Sequence, residues 1–485
     1  MVLRYKKVLF CMPPLPGVFG SPVTPSLSLG YLSEYLSKNK IEHEVMDMRL
    51  GYSLQDLKDK IKTFKPDLVG FSSFSFRHDV PYSLINSIKS KDFDIIIGGP
   101  HASTIGKKIL EETKADYSLK YEGEQLLVDL CNGTDLSQIS GLIYRKNNEI
   151  IENQHTSFLD IKKLPFPKYK KFELKKYLRK QIHILSSRGC PYDCIYCSIK
   201  TTVGKPIRMR ESDSVVKEVK YWYNQGYRVI DFIDDNFIFN KQRILDICKK
   251  LKETNLTGLK LTCGNGVRAD KVDREILTAM KRVGFEELSI GVEVGNNKML
   301  KVIKKGETIE QIENAIKLST EMGFDVTLFY VIGLPEETEA DIQDSINLAL
   351  KYPINNANFY NAVPFPGTEL YDYVKKNNLF VVKDPDYLNT MAHFDDPIFV
   401  TLQLSLKQKK KMLKLTKKAE KEILRKTFVR KLKKFGILSE ISSYIIFFKP
   451  IYLTLQKMST KFKLFKKTLI FITEKFNLRR MESVR

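Results

Sequence analysis

No stretch of this 485-residue chain reaches the roughly 18 to 20 consecutive apolar residues that span a bilayer, so no membrane-crossing helix is expected. Cysteine is scarce and odd in number, seven in all, which argues against a disulfide framework in a chain of this size. No period of a few tens of residues repeats, and this removes a solenoid. Aspartate is missing altogether after residue 400. Residues 401–485 hold 24 Lys and Arg against 5 Glu, a net +19 of the chain's +23, so the first 400 residues are nearly neutral. That distribution describes an enzyme-like body with a basic appendage, whose partner would be an anionic surface.

What is present is a regular alternation. The opening "MVLRYKKVLFCMPP" carries only a short apolar run before a Pro pair, which fits a β-strand better than a secretory h-region, so the expected location is cytoplasmic. "KKVLFCMPP", "EHEVMDM", "PDLVGFSSFS" and "FDIIIGGPHAS" read as strands. "LSLGYLSEYLSKNK" and "SLQDLKDKIKTF", with Ser53 as N-cap, read as helices between them. Residues 1–145 are therefore expected to form a doubly wound parallel sheet with its ligand crevice beyond the carboxyl ends of the strands. Residues 146–180, rich in Lys and Pro and poor in periodicity, read as a linker.

From residue 181 to 395 a second α/β series follows: "IHILSSRGC", "RVIDFIDDNF", "LKLTCGNGVRAD", "ELSIGVEVGN", "VTLFYVIGLPEE" and "ANFYNAVPFPGT", each leading into a helical stretch. Six such units predict a partial (β/α)6 TIM-like barrel with its chemistry on the loops after the strands. Residues 396–485 read as a basic amphipathic helical tail resembling an interfacial, membrane-lying element more than a packed domain.

The loop after the first barrel strand, "SSRGCPYDCIYCS", sets Cys190, Cys194 and Cys197 three and then two residues apart. Structural zinc wants four ligands in paired spacings, and no second Cys or His pair follows. Three inert core thiols are the plain alternative. A 4Fe-4S cluster on three thiolates accounts for the count, since its fourth iron stays open to a ligand.

Cys-x3-Cys-x2-Cys with Tyr196 before the last cysteine resembles the radical S-adenosylmethionine enzymes, and the resemblance covers about residues 180–370. In that family the open iron chelates S-adenosylmethionine, and the cluster reduces it to methionine and a 5'-deoxyadenosyl radical. The resemblance implies further contacts with the same cofactor. Asp234 and Asp235 in "DFIDDNF" would face the methionine moiety, although either could cap the next helix. Glu293 in "GVEVGN" would accept from the ribose hydroxyls. Arg268 in "GNGVRAD" would satisfy Glu293, clamp the cofactor carboxylate, or sit in a structural ion pair. Gly333 in "YVIGLPEET" would pass close to the adenine.

Residues 1–145 in turn resemble the cobalamin-binding domains fused in front of many such enzymes, through "PPLPG", "VGFSSFS", and "GGPHAS" followed by "YEGE". This implies cobalamin contacts from Pro14, Ser72, Gly98, Gly99 and His101. The Asp-x-His-x-x-Gly signature of the cobalt-ligating histidine is absent, and the loop from Cys11 to Gly20 holds no His. His101 itself reads as packing on the nucleotide tail or as a satisfied turn histidine rather than a metal ligand.

The resemblance implies a cobalamin-dependent enzyme that methylates an unactivated carbon of a small-molecule or lipid-like substrate, drawing electrons from an external flavodoxin or ferredoxin. Ring-forming and oxidative reactions of the same subgroup, and tRNA modification, are its alternatives. A cluster-carrying but catalytically silent binding protein is a further reading, which the intact Cys190, Cys194, Cys197 and Glu293 oppose. The apolar runs "SYIIFF" and "LIFI" within the Lys-rich tail favour an anionic membrane surface over nucleic acid, placing the protein peripherally on the inner face of the membrane.

Overall fold

The computed structural model describes residues 3–14, 24–382, 386–389 and 396–433, together with Gly436 and Glu440. Short apolar runs bounded by polar turns place Lys7–Met12 (β1), Glu42–Asp47 (β2), Leu68–Ser72 (β3), Asp94–Gly98 (β4), Tyr117–Leu119 (β5), Leu142–Lys146 (β6) and Glu149–Glu152 (β7) in one sheet. Its order is β2-β1-β3-β4-β5-β6-β7. The first five strands are parallel, and β6 and β7 join antiparallel.

Both faces are covered, so the central strands are apolar without alternation. Leu29 and Leu36 of the helix Leu27–Lys38 pack on one face; Leu57 of the helix Leu54–Phe64 and Ile85 of the helix Asp79–Ile88 pack on the other. Ser53 caps the helix Leu54–Phe64 in a reciprocal box with Asp56. The strand order reverses between β1 and β3, which opens a crevice beyond the carboxyl ends of β1, β3 and β4.

The first sheet runs to Glu152, past the expected end at 145. The following Lys- and Pro-rich stretch is packed rather than loose. Leu164, Phe166, Tyr169 and Tyr177 are buried, the Tyr177 hydroxyl donates to Asp47 Oδ2 at 2.8 Å, and the Tyr169 ring lies 5.6 Å from that of Trp222. An extended strap buries its side chains one at a time, without helical or strand spacing, and so looked like a linker.

Gln181–Ile184 (β8) opens the second body and is followed by a short antiparallel ribbon, Ser187–Arg188 (β9) with Arg208–Met209 (β10). Val229–Phe232 (β11), Lys260–Val267 (β12), Phe285–Glu293 (β13), Asp325–Ile332 (β14) and Asn356–Asn361 (β15) complete an all-parallel sheet of order β15-β14-β13-β12-β11-β8. All six expected strands are there, and β8 and β15 are its two edges, as a partial barrel requires.

The tail differs from expectation up to residue 433. The helix Leu406–Lys431 lies along β15, burying Met412, Leu413, Ala419, Ile423, Leu424 and Phe428, and Glu420 accepts the Phe359 amide at 2.7 Å. Its apolar positions recur at three- and four-residue steps, a signal that the excess of lysine obscured. Apart from Glu440, the apolar runs beyond residue 436 lie outside the described residues.

Candidate functional site

The cysteine loop leaves β9 through Gly189, at φ +97°. A Cβ there would lie 2.2 Å from the Pro206 carbonyl oxygen, so only glycine makes this exit. The loop is then fastened by its backbone: the Cys190 amide donates to Gly204 at 3.2 Å, Ile195 donates to Ile303 at 3.2 Å, and Leu370 donates to Ile195 at 3.0 Å. With Ile195 buried as the anchor, Cys190, Cys194 and Cys197 stay half-buried and free.

Burial raises all three thiols, Cys197 to about 12, while the nearby Lys305 and Arg268 cations oppose the rise at Cys194. Among the described residues no three His, Cys, Asp or Glu side chains gather as around a single metal ion. A 4Fe-4S cluster asks for a different spacing, one thiolate to each of three separate irons. The donor set of three thiols beside two cations suits such an anionic cluster, which supplies the positive iron that keeps thiols deprotonated.

Around this loop the structure assembles several of the expected residues. Glu293 ends β13 at φ +68°, an uncommon conformation for a residue with a side chain, and it accepts from Lys305 Nζ at 3.1 Å. Burial, and next the Glu293 carboxylate, raise the Tyr196 hydroxyl well above its ordinary range. Arg268 does not reach Glu293. It bonds Asp270 at 3.0 Å, donates to the Lys305 carbonyl at 2.8 Å and the Gly306 carbonyl at 3.2 Å, and stacks 3.5 Å over the Tyr192 ring. The donor to Glu293 is therefore Lys305, and Arg268 supports the loop from behind.

The two adjacent aspartates separate in role. Asp234 is 1% exposed and consumed by its own scaffold, accepting the Ser186 amide and hydroxyl at 3.0 and 2.7 Å and the Ser187 hydroxyl at 2.5 Å. Asp235 accepts the Gly189 amide at 3.3 Å, and burial lifts it to about 6. Gly333, at φ +85°, turns the chain out of β14.

A cavity of about 340 Å³ lies between the two domains, lined by residues of both. The first domain contributes Gly70, Ser72, Gly98 and Gly99 at the carboxyl ends of β3 and β4. The barrel contributes Leu185, Arg188, Ile233 and Asp235. A Cβ at Gly99 would lie 2.6 Å from the Ser73 carbonyl oxygen, and one at Gly98 would lie 2.9 Å from Leu119, so these two positions of the wall require glycine. Glycines among apolar side chains such as Phe71, Ile96 and Leu127 make a cradle that fits part of a large ligand such as cobalamin.

Pro14 and His101 do not line the cavity. His101 stacks 4.4 Å from the His78 ring and bonds the Tyr82 hydroxyl at 3.0 Å, and burial and His78 push it down to about 3. It is a satisfied, neutral histidine of the domain core.

"YEGE" serves a purpose that its sequence did not disclose. Glu122 accepts from Arg188 at 2.7 Å and from Arg208 at 2.6 Å, and Glu124 accepts from Arg188 at 2.7 Å, all nearly buried. This clamp fastens the first domain to the ribbon that carries the cysteine loop. Nothing in the local sequence of Lys305 ("KKGET"), Arg188 ("SSRGC") or Arg208 ("RMR") tells a buried cation from a solvated one.

Residues 184–349 match the radical SAM superfamily and residues 21–131 the B12 binding domain. An uncharacterized methyltransferase of Pyrococcus horikoshii is 27% identical over 430 residues, covering 85% of this chain and 92% of that protein. The cytidylyl-2-hydroxyethylphosphonate methyltransferase of Streptomyces wedmorensis is 25% identical over 437 residues, covering 76% and 81%. The solved structure of the radical S-adenosylmethionine methyltransferase TsrM from Kitasatospora setae, with cobalamin and a [4Fe-4S] cluster bound, is alike in fold. Its TM-score is 0.68 at 19% identity, over 78% of this chain and 76% of its own. The chain thus belongs to the radical S-adenosylmethionine enzymes with an N-terminal cobalamin-binding domain, and its cofactors are a 4Fe-4S cluster, S-adenosylmethionine and cobalamin.

Proposed function

We propose that the protein is a methyltransferase acting on an unactivated carbon of a hydrophobic or membrane-associated substrate. The observation that carries this reading is the position of the 340 Å³ cavity, walled on one side by the glycine cradle and on the other by Arg188 and Asp235 beside the cysteine loop. The P. horikoshii and S. wedmorensis relatives, both named as methyltransferases, support the same reaction class. When bound, the cluster with S-adenosylmethionine supplies hydrogen abstraction and cobalamin supplies the methyl group.

The chain's own residues do the positioning. Cys190, Cys194 and Cys197 would hold the cluster, and Glu293, which accepts from Lys305, would accept from the ribose hydroxyls. Tyr196 and Gly333 border the cofactor. Asp235 faces the shared cavity, and Ser72, Gly98 and Gly99 let cobalamin lie close to β3 and β4. The apolar lining from Leu127, Leu185 and Ile233 keeps water from the reacting centre.

Exposed lysines of the docked helix, among them Lys410, Lys414, Lys418 and Lys421, give the body a basic face suited to anionic lipid, worth roughly 1 kcal/mol for each one near the surface. An external reductant of the flavodoxin or ferredoxin class completes the scheme.

The test is anaerobic reconstitution with iron, sulfide and hydroxocobalamin, followed by an absorbance spectrum after desalting. A retained corrinoid band beside the cluster supports methylation. A cluster without corrinoid refutes it. Cys194→Ala should lose cluster assembly and S-adenosylmethionine cleavage together, and retained cleavage would overturn the assignment of the cysteines. Co-sedimentation with phosphatidylglycerol vesicles, lost at high salt, tests the lipid face.

A further inference from the structure

Lysines of the helix Leu406–Lys431 mostly face water, but Lys409 points into the barrel and is 2% exposed. Its Nζ donates to the Gly333 carbonyl at 2.6 Å and sits 3.6 Å from the centre of the Phe399 ring. A Cβ on Gly333 would stand 3.2 Å from that same Nζ. On the other side of the turn, the fully buried Glu337 accepts the amides of Gly333 at 2.5 Å and Leu334 at 3.0 Å through one oxygen. A single glycine is therefore gripped at both its amide and its carbonyl. One grip comes from its own loop, the other from a helix 76 residues further along the chain.

Burial makes both grips costly: it lowers Lys409 to about 7 and raises Glu337 to about 7. Helix docking does not need this lysine, because Met412, Leu413, Ala419, Ile423, Leu424 and Phe428 already bury an apolar stripe against the barrel. An apolar residue at 409 would anchor the helix at lower cost, so the lysine's distinct contribution is the contact with the turn.

We propose that Lys409 is a positioning residue of the S-adenosylmethionine site: its contact fixes the Gly333 turn and so sets part of the cofactor affinity, while the rest of the helix only holds the lysine in place. The inference rests on the reading that Gly333 borders the bound cofactor. The C-terminal helix is then a working part of the barrel's cofactor site.

The experiment uses the full-length protein, reconstituted anaerobically. Lys409→Met keeps the length of the side chain and removes its donor. Ile423→Ala, on the same helix and remote from the turn, loosens docking alone. Equilibrium dialysis with S-adenosylmethionine, amide exchange of the segment 330–338, iron content and retained corrinoid are measured for each. Lys409→Met should bind S-adenosylmethionine about tenfold more weakly and exchange the Gly333 and Leu334 amides faster, with iron and corrinoid unchanged. Ile423→Ala should lower the thermal midpoint and leave the affinity in place.

Equal affinity in wild type and Lys409→Met overturns this inference alone, and so does a loss in Ile423→Ala as large as that in Lys409→Met. A wild-type protein that binds no S-adenosylmethionine overturns the reading beneath it. If Lys409→Met does not accumulate folded, Lys409→Gln carries the comparison. It retains an N–H donor on a shorter stem and should bind S-adenosylmethionine more weakly than wild type, and wild-type affinity with unprotected amides would refute the contact.

Discussion

Glu122 is a single carboxylate between two arginines at the junction of the domains, and replacing it by alanine tests whether the clamp holds the junction. Its oxygens accept from Arg188 at 2.7 Å, from Arg208 at 2.6 Å and from the Leu159 amide at 3.0 Å, with the side chain only 10% exposed. Removing one partner of a buried pair costs about 3 to 5 kcal/mol, because the remaining charge stays desolvated. Here the lower end applies: Arg188 keeps Glu124, and Arg208 keeps the carbonyls of Leu159 and Val203. About 3 kcal/mol corresponds to a fall of roughly 6 to 12 °C in the midpoint of a unit of 150 to 250 residues, read by calorimetry on the anaerobic protein. The sign with pH follows from the same contacts. Burial alone would raise the Glu122 carboxyl, but Arg188 and Arg208 outweigh it and hold it below the ordinary range. Its stabilisation is thus fully present above the unfolded value of about 4.3 and is lost as pH falls through the lower folded value. Glu122→Ala should therefore flatten the acid limb of the stability profile. The double variant Glu122→Leu with Arg208→Met should cost less than the sum of the singles. A neutral-pH shift below about 1 °C would refute the clamp as an energetic device.

Two glycine substitutions separate the cofactor sites. Gly189→Ala places a Cβ 2.2 Å from a backbone oxygen at φ +97°, so iron and sulfide content after reconstitution should fall sharply while corrinoid binding persists. Full iron content would show that the loop tolerates another exit. Gly99→Ala, 2.6 Å from the Ser73 carbonyl oxygen at φ +102°, should have the opposite pattern: corrinoid lost in gel filtration and the cluster absorbance intact. Parallel loss of both cofactors would refute the separation.

These outcomes bear on why some of the site was legible in the sequence and some was not. All six barrel strands and four of the first sheet's seven were visible, because parallel strands covered on both faces leave apolar runs such as "IIIG" and "LFYVI" between amphipathic helices; Tyr117–Leu119, Leu142–Lys146 and Glu149–Glu152 are short or polar and were not. The cysteine loop was visible because a metal cluster demands fixed residue types at fixed spacing within one loop. The second tier of residues has no such local signature. Lys305 reaches Glu293 from a turn 12 residues away, Lys409 reaches Gly333 across 76, and Arg188 reaches Glu124 across 64. Each is a cation whose sequence neighbours are polar, so its local context predicts exposure, and only the packing of one element on another buries it.

The same reasoning explains the divided aspartates of "DFIDDNF". A side chain's role depends on which donors converge on it, and those at Asp234, one amide and two hydroxyls, come from Ser186 and Ser187, 48 and 47 positions earlier. The packing of the tail's first helix follows from it too. The lysines that give the helix Leu406–Lys431 its basic character include Lys409, which bonds the Gly333 carbonyl of the barrel. Composition averages over a helix, whereas the fold assigns each position separately. An isolated lysine on the apolar side of an otherwise basic helix is therefore better read as a directed contact than as one more surface charge.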